Sequence, residues 1–496
     1  MARFRSPRVP PGAVLLLCLA ACTPGLPGPG GGAPAASPAP QVPWTPPPPP
    51  PAAAAAKPEA QGEIPPDLAQ RLQQLTASDV VDLALRNNPT TMQAWANARA
   101  AAAAFGASRS AYFPEVDLAG SITRVKTAAT GGRTAVTQTT YGPSATLTWL
   151  LLDFGGRGGA IESARQALLS ADWTHNASIN DVVLQAQVAF YTYVATGALV
   201  ASQRSSVKDA EVNLEATEAR RQVGTATIAD VLQARTALSQ AQLALETTEG
   251  SRQTARGALA LALGVPANLP YDVDSVSAPV PVAAIADSVD TLIGRAVRDR
   301  PDLSAARADA AGAQARVRQL RGARLPSLTA TGDGGFTYIV NRSGGGSNYT
   351  VGLGLSVPLF NGFGREYAQK QAEFLADAAQ ARERSLEQQV TYQVFSSYYS
   401  LQTATRSVQT AADLLASASQ STEVALARYK AGVGTILDLL AAQSALASAR
   451  AQVVQARLSW QTSLAQLAHD AGALDAKGRA DVRLSPDTLM NQHPPR

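Results

Sequence analysis

Thiols are nearly absent from this sequence. Of 496 residues only Cys18 and Cys22 are cysteine, so beyond position 22 no disulfide, thiolate metal ligand or cysteine nucleophile can form. Histidine is as scarce: His175, His469 and His493 are widely separated. No Walker-type glycine loop, His-Glu-x-x-His motif or nucleophile elbow occurs, which argues against the familiar hydrolase, ATPase and zinc chemistries. No enzyme is expected, with no catalytic residues, metal ligands or cofactor beyond a lipid considered below. Methionine numbers three, so no methionine-rich or histidine-rich ladder marks a metal path. Basic residues interleaved with aromatics are also missing, which excludes a nucleic-acid partner.

Proline is missing where it matters most. None lies between Pro143 and Pro266, or between Pro358 and Pro486, and both stretches are dense in Ala, Leu, Gln, Arg and Glu. Apolar residues return at helical spacing, as at Val182, Val188, Ala189 and Ala195. A helix from Gly156 to about Gln222 would measure about 100 Å. It returns from about Ile228 to Leu263; a second hairpin runs from about Arg365 to Lys430 and from Ile436 to Leu467. Such lengths exceed a globular core, and small Ala-rich faces suit lateral packing into a bundle or tubular wall.

The chain repeats itself. Gly224-Thr225-Ala226-Thr227-Ile228-Ala229-Asp230-Val231-Leu232 and Gly432-Val433-Gly434-Thr435-Ile436-Leu437-Asp438-Leu439-Leu440 share the skeleton Gly-x-x-Thr-Ile-x-Asp-x-Leu. Each has a C-terminal glycine followed by N-capping Thr and Asp, the signature of a tight turn between helices. Pro89 also matches Pro301, Pro114 matches Pro326, Arg157 matches Arg365 and Tyr191 matches Tyr399. Ala bias alone cannot place these prolines and tips in one register. A shorter helix from about Ser78 to Ser110, copied from about Ser288 to Gly322, opens each repeat.

Between each shorter helix and the long one, the texture alternates with period two. Val116, Leu118, Gly120 and Ile122 oppose Glu115, Asp117, Ala119 and Ser121; Tyr349, Val351, Leu353 and Leu355 oppose Thr350, Gly352 and Gly354. Four strands are expected, about 114–126, 139–152, 326–340 and 348–360. The pattern fits membrane-barrel strands, and also a soluble sheet with one wet face. Four strands cannot close a barrel in lipid, so the membrane reading requires oligomerisation; three protomers would give twelve strands.

The N-terminus sets the compartment. Arg3, Arg5 and Arg8 precede the apolar run from Val14 to Ala20, too short to span a bilayer and laid out as a signal peptide over 1–21. Losing three arginines and no acid lowers the formal charge from +4 to +1. Leu19-Ala20-Ala21-Cys22 resembles the bacterial lipobox, so Cys22 is expected to carry diacylglyceryl and palmitoyl chains; an ordinary signal peptide cut elsewhere is the alternative. Residues 22–67 are rich in Pro, Gly and Ala, an extended linker able to reach on the order of 130 Å. The remaining chain divides into a first repeat over 68–265, a linker over 266–289, a second repeat over 290–473 and a tail over 474–496.

Further phrases carry a family likeness: Ala84-Leu85-Arg86-Asn87-Asn88-Pro89, Arg300-Pro301-Asp302-Leu303, Leu325-Pro326-Ser327-Leu328, Val357-Pro358-Leu359-Phe360-Asn361-Gly362 and Arg428-Tyr429-Lys430-Ala431-Gly432. In order and duplicated, they make the chain resemble the TolC-like outer-membrane efflux proteins, especially the lipoprotein branch of OprM and NodT type. The resemblance implies an α+β, mainly α fold: a homotrimer whose twelve-stranded outer-membrane β-barrel continues into a long periplasmic α-helical barrel, with a two-fold repeat in each protomer. It further implies a passive, lipid-anchored exit duct in the outer membrane. A periplasmic adaptor protein and an inner-membrane transporter, driven by protons or ATP, would be its partners.

By the same likeness, Gly224, Thr227, Gly432 and Thr435 face the adaptor, while Tyr429, Asp438 and Asp230 fall at the periplasmic gate. The pattern departs from the family's best-known member at Gly434 and Ala441. One expectation is that Tyr429 and Asp438 pair with Arg220 or Arg221 of the neighbouring hairpin; another is that Asp230 and Asp438 simply cap their helices. Drug, metal-ion and protein export remain open as cargo classes, and a structural envelope-spanning trimer is the alternative from another class.

Overall fold

Two proline residues break what the sequence presents as single opening helices. In the computed structural model, which describes residues 75–127, 136–268, 284–285, 287–340, 345–474 and 484–485, helix α1 (Ala77–Asn87) ends at Asn88 and α2 (Pro89–Ser108) starts afresh. Asn88 is extended because it precedes proline, and its side chain accepts from the Thr90 N–H at 2.9 Å, starting the next helix. The N-cap of α1 is Thr76, which forms a capping box with Asp79. The second repeat breaks alike at Arg300, between α5 (Val289–Asp299) and α6 (Pro301–Gly322). Cys22, the signal and linker segments, and parts of 266–289 and 474–496 lie outside the described residues.

Strands β1 (Glu115–Thr127) and β2 (Val136–Leu152) follow α2 through a 3-10 turn, and β4 (Ser327–Ile339) and β5 (Gly345–Ser356) follow α6. β5 stops short of the expected residue 360, where Pro358 has no N–H for a ladder. The four form one antiparallel sheet ordered β1-β2-β4-β5, so the two repeats join at β2 and β4. A register shift leaves Leu151 as the extra residue of a bulge, and Arg157 donates to the carbonyls of Leu150 and Leu151 there. A separate pair, β3 (Ala284–Ile285) and β6 (Leu484–Ser485), is antiparallel too.

Among the described residues nothing covers the sheet. Nearly every residue of the edge strands β1 and β5 is exposed, including Leu118, Ile122, Tyr349, Val351, Leu353 and Leu355 on the apolar face. Register assembles that face in cross-strand rows: Val116, Leu147, Gly332 and Val351 in one, Ile122, Tyr141 and Tyr338 in another. Tyr141 and Tyr338 stack at 5.3 Å. The opposite face carries Asp117, Thr146, Asp333 and Thr350 in a single row.

Each sheet half leads into a helix of 67 residues, α3 (Gly156–Gln222) and α7 (Gly364–Lys430), each about 100 Å long. Their return helices are α4 (Ile228–Leu263) and α8 (Ile436–Asp470). The main apolar core sits far from the tips, where Leu83 of α1, Val183 of α3, Leu259 of α4, Leu292 of α5, Val394 of α7 and Leu467 of α8 meet.

Helix α6 is held to α3 of the first repeat and to α7 of its own repeat by two different means. Against α3 it runs antiparallel with backbones touching: a Cβ on Gly159 would lie 2.4 Å from the Gln319 nitrogen, and one on Gly322 would lie 2.4 Å from the Gly156 nitrogen. Against α7 it uses ion pairs, Arg307–Glu383, Arg321–Glu373 and Arg324–Glu366 at 3.7, 3.0 and 3.3 Å. Such partly exposed pairs contribute little each, so the glycine contact dominates. Gly159→Ala should therefore cost about 1–3 kcal/mol. Gly158→Ala, beside it with nothing within 4 Å of a new Cβ, should leave the thermal unfolding midpoint unchanged or slightly raised.

Candidate functional site

The two hairpin tips are built alike, residue for residue. Gly224 and Gly432 each adopt φ of +78°, a conformation that side chains disfavour. Gly224 donates to the Arg221 carbonyl at 3.0 Å and Thr225 to that of Arg220 at 2.9 Å; Gly432 donates to Tyr429 at 3.2 Å and Val433 to Arg428 at 3.0 Å. These are Schellman closures, which use up the last carbonyls of α3 and α7.

The chain then re-enters a helix through a capping box. The Thr227 N–H donates to the Asp230 carboxylate at 2.7 Å, and the Asp230 N–H donates to the Thr227 hydroxyl at 3.2 Å. Thr435 and Asp438 reciprocate at 3.1 Å in both directions. The bonds from the Thr435 side chain and backbone, with Arg428 nearby, hold the Asp438 carboxyl below its ordinary range.

Within the protomer this geometry favours the capping expectation. The Asp438 hydrogen bonds are with Thr435 at the start of its own helix, and not with Arg220 or Arg221 of the same chain. A carboxylate at the third helical position points back over the cap. Asp230 is held in the same way.

Tyr429 is a different case. The Arg220 guanidinium lies 4.3 Å from the Tyr429 ring centroid, and it donates to the carbonyls of Tyr429 at 3.0 Å and Lys430 at 3.3 Å. A cation set on the last carbonyls of α7 gives the Tyr429 carbonyl a second donor, satisfies that of Lys430 and complements the negative end of the helix dipole. The Tyr429 hydroxyl is 3.4 Å from that of fully buried Thr217, while its ring packs with Ile436 and Leu439. Arg220 thus fastens the first hairpin to the end of the second within one protomer.

The seam continues upward. Asn213 donates to Gln443 at 2.5 Å, and Arg450 reaches Asp209 at 3.5 Å and Ser205 at 3.3 Å. Asp209, Asn213, Thr217 and Arg220 recur at intervals of four and three along α3, a polar stripe that the sequence displays and of which only Arg220 was singled out there. Beside this seam, α3, α4 and α8 enclose a groove of about 640 Å³, lined by residues such as Gln203, Gln240, Leu440 and Gln443. Among the described residues no group of three His, Cys, Asp or Glu side chains is placed to hold a metal ion.

Comparisons with known proteins agree with this duplicated architecture. A family model described as outer membrane efflux protein matches residues 80–265 and again 292–473. Protein CyaE of Bordetella pertussis is 30% identical over 86% of this chain and 89% of its own length. The probable efflux pump outer membrane protein TtgC of Pseudomonas putida is 27% identical over 84% of this chain and 86% of its own. Among solved structures, the Campylobacter jejuni CmeC outer membrane channel superposes with a TM-score of 0.71 at 19% identity, covering 85% of this chain and 90% of that one.

The ring and carbonyl contacts of Arg220 make its coupling to Tyr429 measurable. A double-mutant cycle of Arg220→Ala and Tyr429→Leu should give about 1–2 kcal/mol in unfolding experiments. A value near zero would mean the two side chains are neighbours without an energetic link.

Proposed function

The chain belongs to the outer membrane efflux protein family, and from that premise we propose how it forms the outer-membrane exit channel of a tripartite efflux system. It conducts small molecules such as drugs passively and is a conduit, not an enzyme. The observation that carries the proposal is a four-stranded sheet whose two edges and apolar face are unpaired and uncovered among the described residues, continuous with two hairpins whose long helices are equal in length.

Open edges are not tolerated in lipid. Joining β5 of one copy to β1 of the next closes a ring, and three copies give a barrel of twelve strands. The apolar face fits a bilayer in height. From the row of Leu328 to the row of Tyr338 is ten residues, about 34 Å along a strand at about 3.4 Å each. A tilt of about 40° reduces this to about 26 Å, close to the usual apolar band of about 25 Å. The polar row of Asp117, Thr146, Asp333 and Thr350 then lines the lumen.

The long helices descend into the periplasm and end at the tips. There Gly224, Thr227, Gly432 and Thr435 meet a periplasmic adaptor that links the duct to an inner-membrane transporter. Asp230 and Asp438 keep the tip turns rigid as caps, and the gate is the seam of Arg220 and Tyr429, which holds the second hairpin inward. Residue Cys22 carries the lipid that anchors the N-terminus to the outer membrane.

Planar-bilayer recording tests the conduit and its gate together. The native protein should conduct weakly, and Arg220→Ala should raise conductance several-fold; an envelope-spanning spacer would pass no current in either form. Lipidation is tested separately by labelled palmitate, which the native chain should incorporate and Cys22→Ala should not. Continued incorporation in the variant would refute the lipid assignment.

A further inference from the structure

At the opposite end of the hairpins from the tips, a buried charge cluster ties the two repeats together. His469 lies on the last turn of α8. Its Nε2 is 2.9 Å from the Asp181 carboxylate of α3, and its Nδ1 is 3.1 Å from the carboxylate of the adjacent Asp470. Asp470 also accepts from Gln466 at 2.9 Å. From the start of α6, Arg300 grips Asp302 with two bonds of 3.0 and 2.6 Å, donates to Gln393 of α7 at 2.8 Å, and reaches the Asp470 carbonyl at 3.3 Å. Four helices converge on this cluster.

The geometry dictates the protonation state. A neutral imidazole has one N–H and one lone pair, so it could satisfy only one of two carboxylates placed against its two nitrogens. The other would face a lone pair. Counting charges leads to the same result: Arg300 is taken up by Asp302, which leaves Asp470 and the half-exposed Asp181 against the imidazole. The Asp470 side chain is only 5% exposed, so leaving its charge against a lone pair is costly.

We propose that His469 is a protonated clasp. Its imidazolium, held between Asp181 of the first repeat and Asp470 of the second, pins the upper end of α8 to α3 and makes this joint the pivot about which the tips separate. From Ile436 to Asp470 is 35 residues, a lever of about 50 Å. A rotation of about 6° at the clasp shifts the tip by about 5 Å, enough to part Arg220 from Tyr429. The pivot rests on the channel reading above, whereas the clasp itself does not.

Burial opposes the charge on His469, but its hydrogen bonds to the Asp181 and Asp470 carboxylates outweigh it and push its pKa from 6.5 to about 9. With the folded value raised, the stabilisation is complete below about pH 6.5 and is lost as pH rises through about 9. Alkaline release of this joint is the consequence.

Thermal midpoints and bilayer conductance of the full chain, recorded from pH 7 to 10.5, decide the matter. The native protein should lose several degrees and gain conductance through about pH 9, beyond any drift shared with the variants. His469→Gln should show the loosened behaviour already at pH 7, with no step near 9. His469→Lys, which keeps a cation, should preserve the neutral-pH state past that point. If His469→Gln does not assemble, Asp181→Asn at this half-exposed position should move the native step to lower pH. Coincident thermal profiles for native protein and variants would overturn the clasp. Absence of current from every form, including Arg220→Ala, with the thermal step intact, would overturn the channel reading and leave the clasp standing.

Discussion

The contact between α3 and α6 is the constraint on which the rest of the architecture depends. Glycine at 159 and 322 lets two helices from different repeats touch backbone to backbone, and Gly312 lies against the Gln166 side chain. That closeness places β2 beside β4, so the sheet is continuous across the repeat boundary. Below, it leads α3 into the core beside α8, where His469 and Arg300 gather. Farther down, it lets Arg220 meet Tyr429. A single side chain at Gly159 or Gly322 would push on the backbone of the facing helix and disturb all three levels.

The internal symmetry is imperfect where it is informative. The repeat offset that matches Arg157 with Arg365 puts Tyr367 where the first repeat has Gly159, and the offset that matches Pro89 with Pro301 puts Ala100 and Ser110 where the second has Gly312 and Gly322. Tyr367 is largely exposed, as are Phe374 and Trp95. The joint inside a protomer is thus glycine-tight, whereas its counterpart between protomers would be spaced by larger side chains. Likewise the two tips share one fold, but only the second supplies an aromatic ring for its neighbour's arginine.

Much of this was legible in residues alone, because proline spacing, period-two alternation and paired capping boxes are local signals. The tips followed from Gly, Thr and Asp at fixed offsets. Less legible were features that depend on how elements meet. Pro89 and Pro301 divide helices that composition presents as continuous, since the residue before proline is forced into an extended conformation. Asp438 was open to two readings, a partner for arginine or a helix cap, and within the protomer its own threonine holds it as a cap. The polar stripe from Asp209 to Arg220 acquires meaning only when α3 is rotated against α7 and α8, and that rotation is set by glycines more than forty residues away.

The two long helices have the same length, 67 residues each. Because each residue adds about 1.5 Å and turns the helix by about 100°, one inserted residue in α3 alone would lower its tip and swing Arg220 off the face that meets Tyr429. Compensating insertion in α7 would restore both height and azimuth. Length here is a shared coordinate, not a property of either helix, and evolution can change the reach of this duct only by editing both halves together.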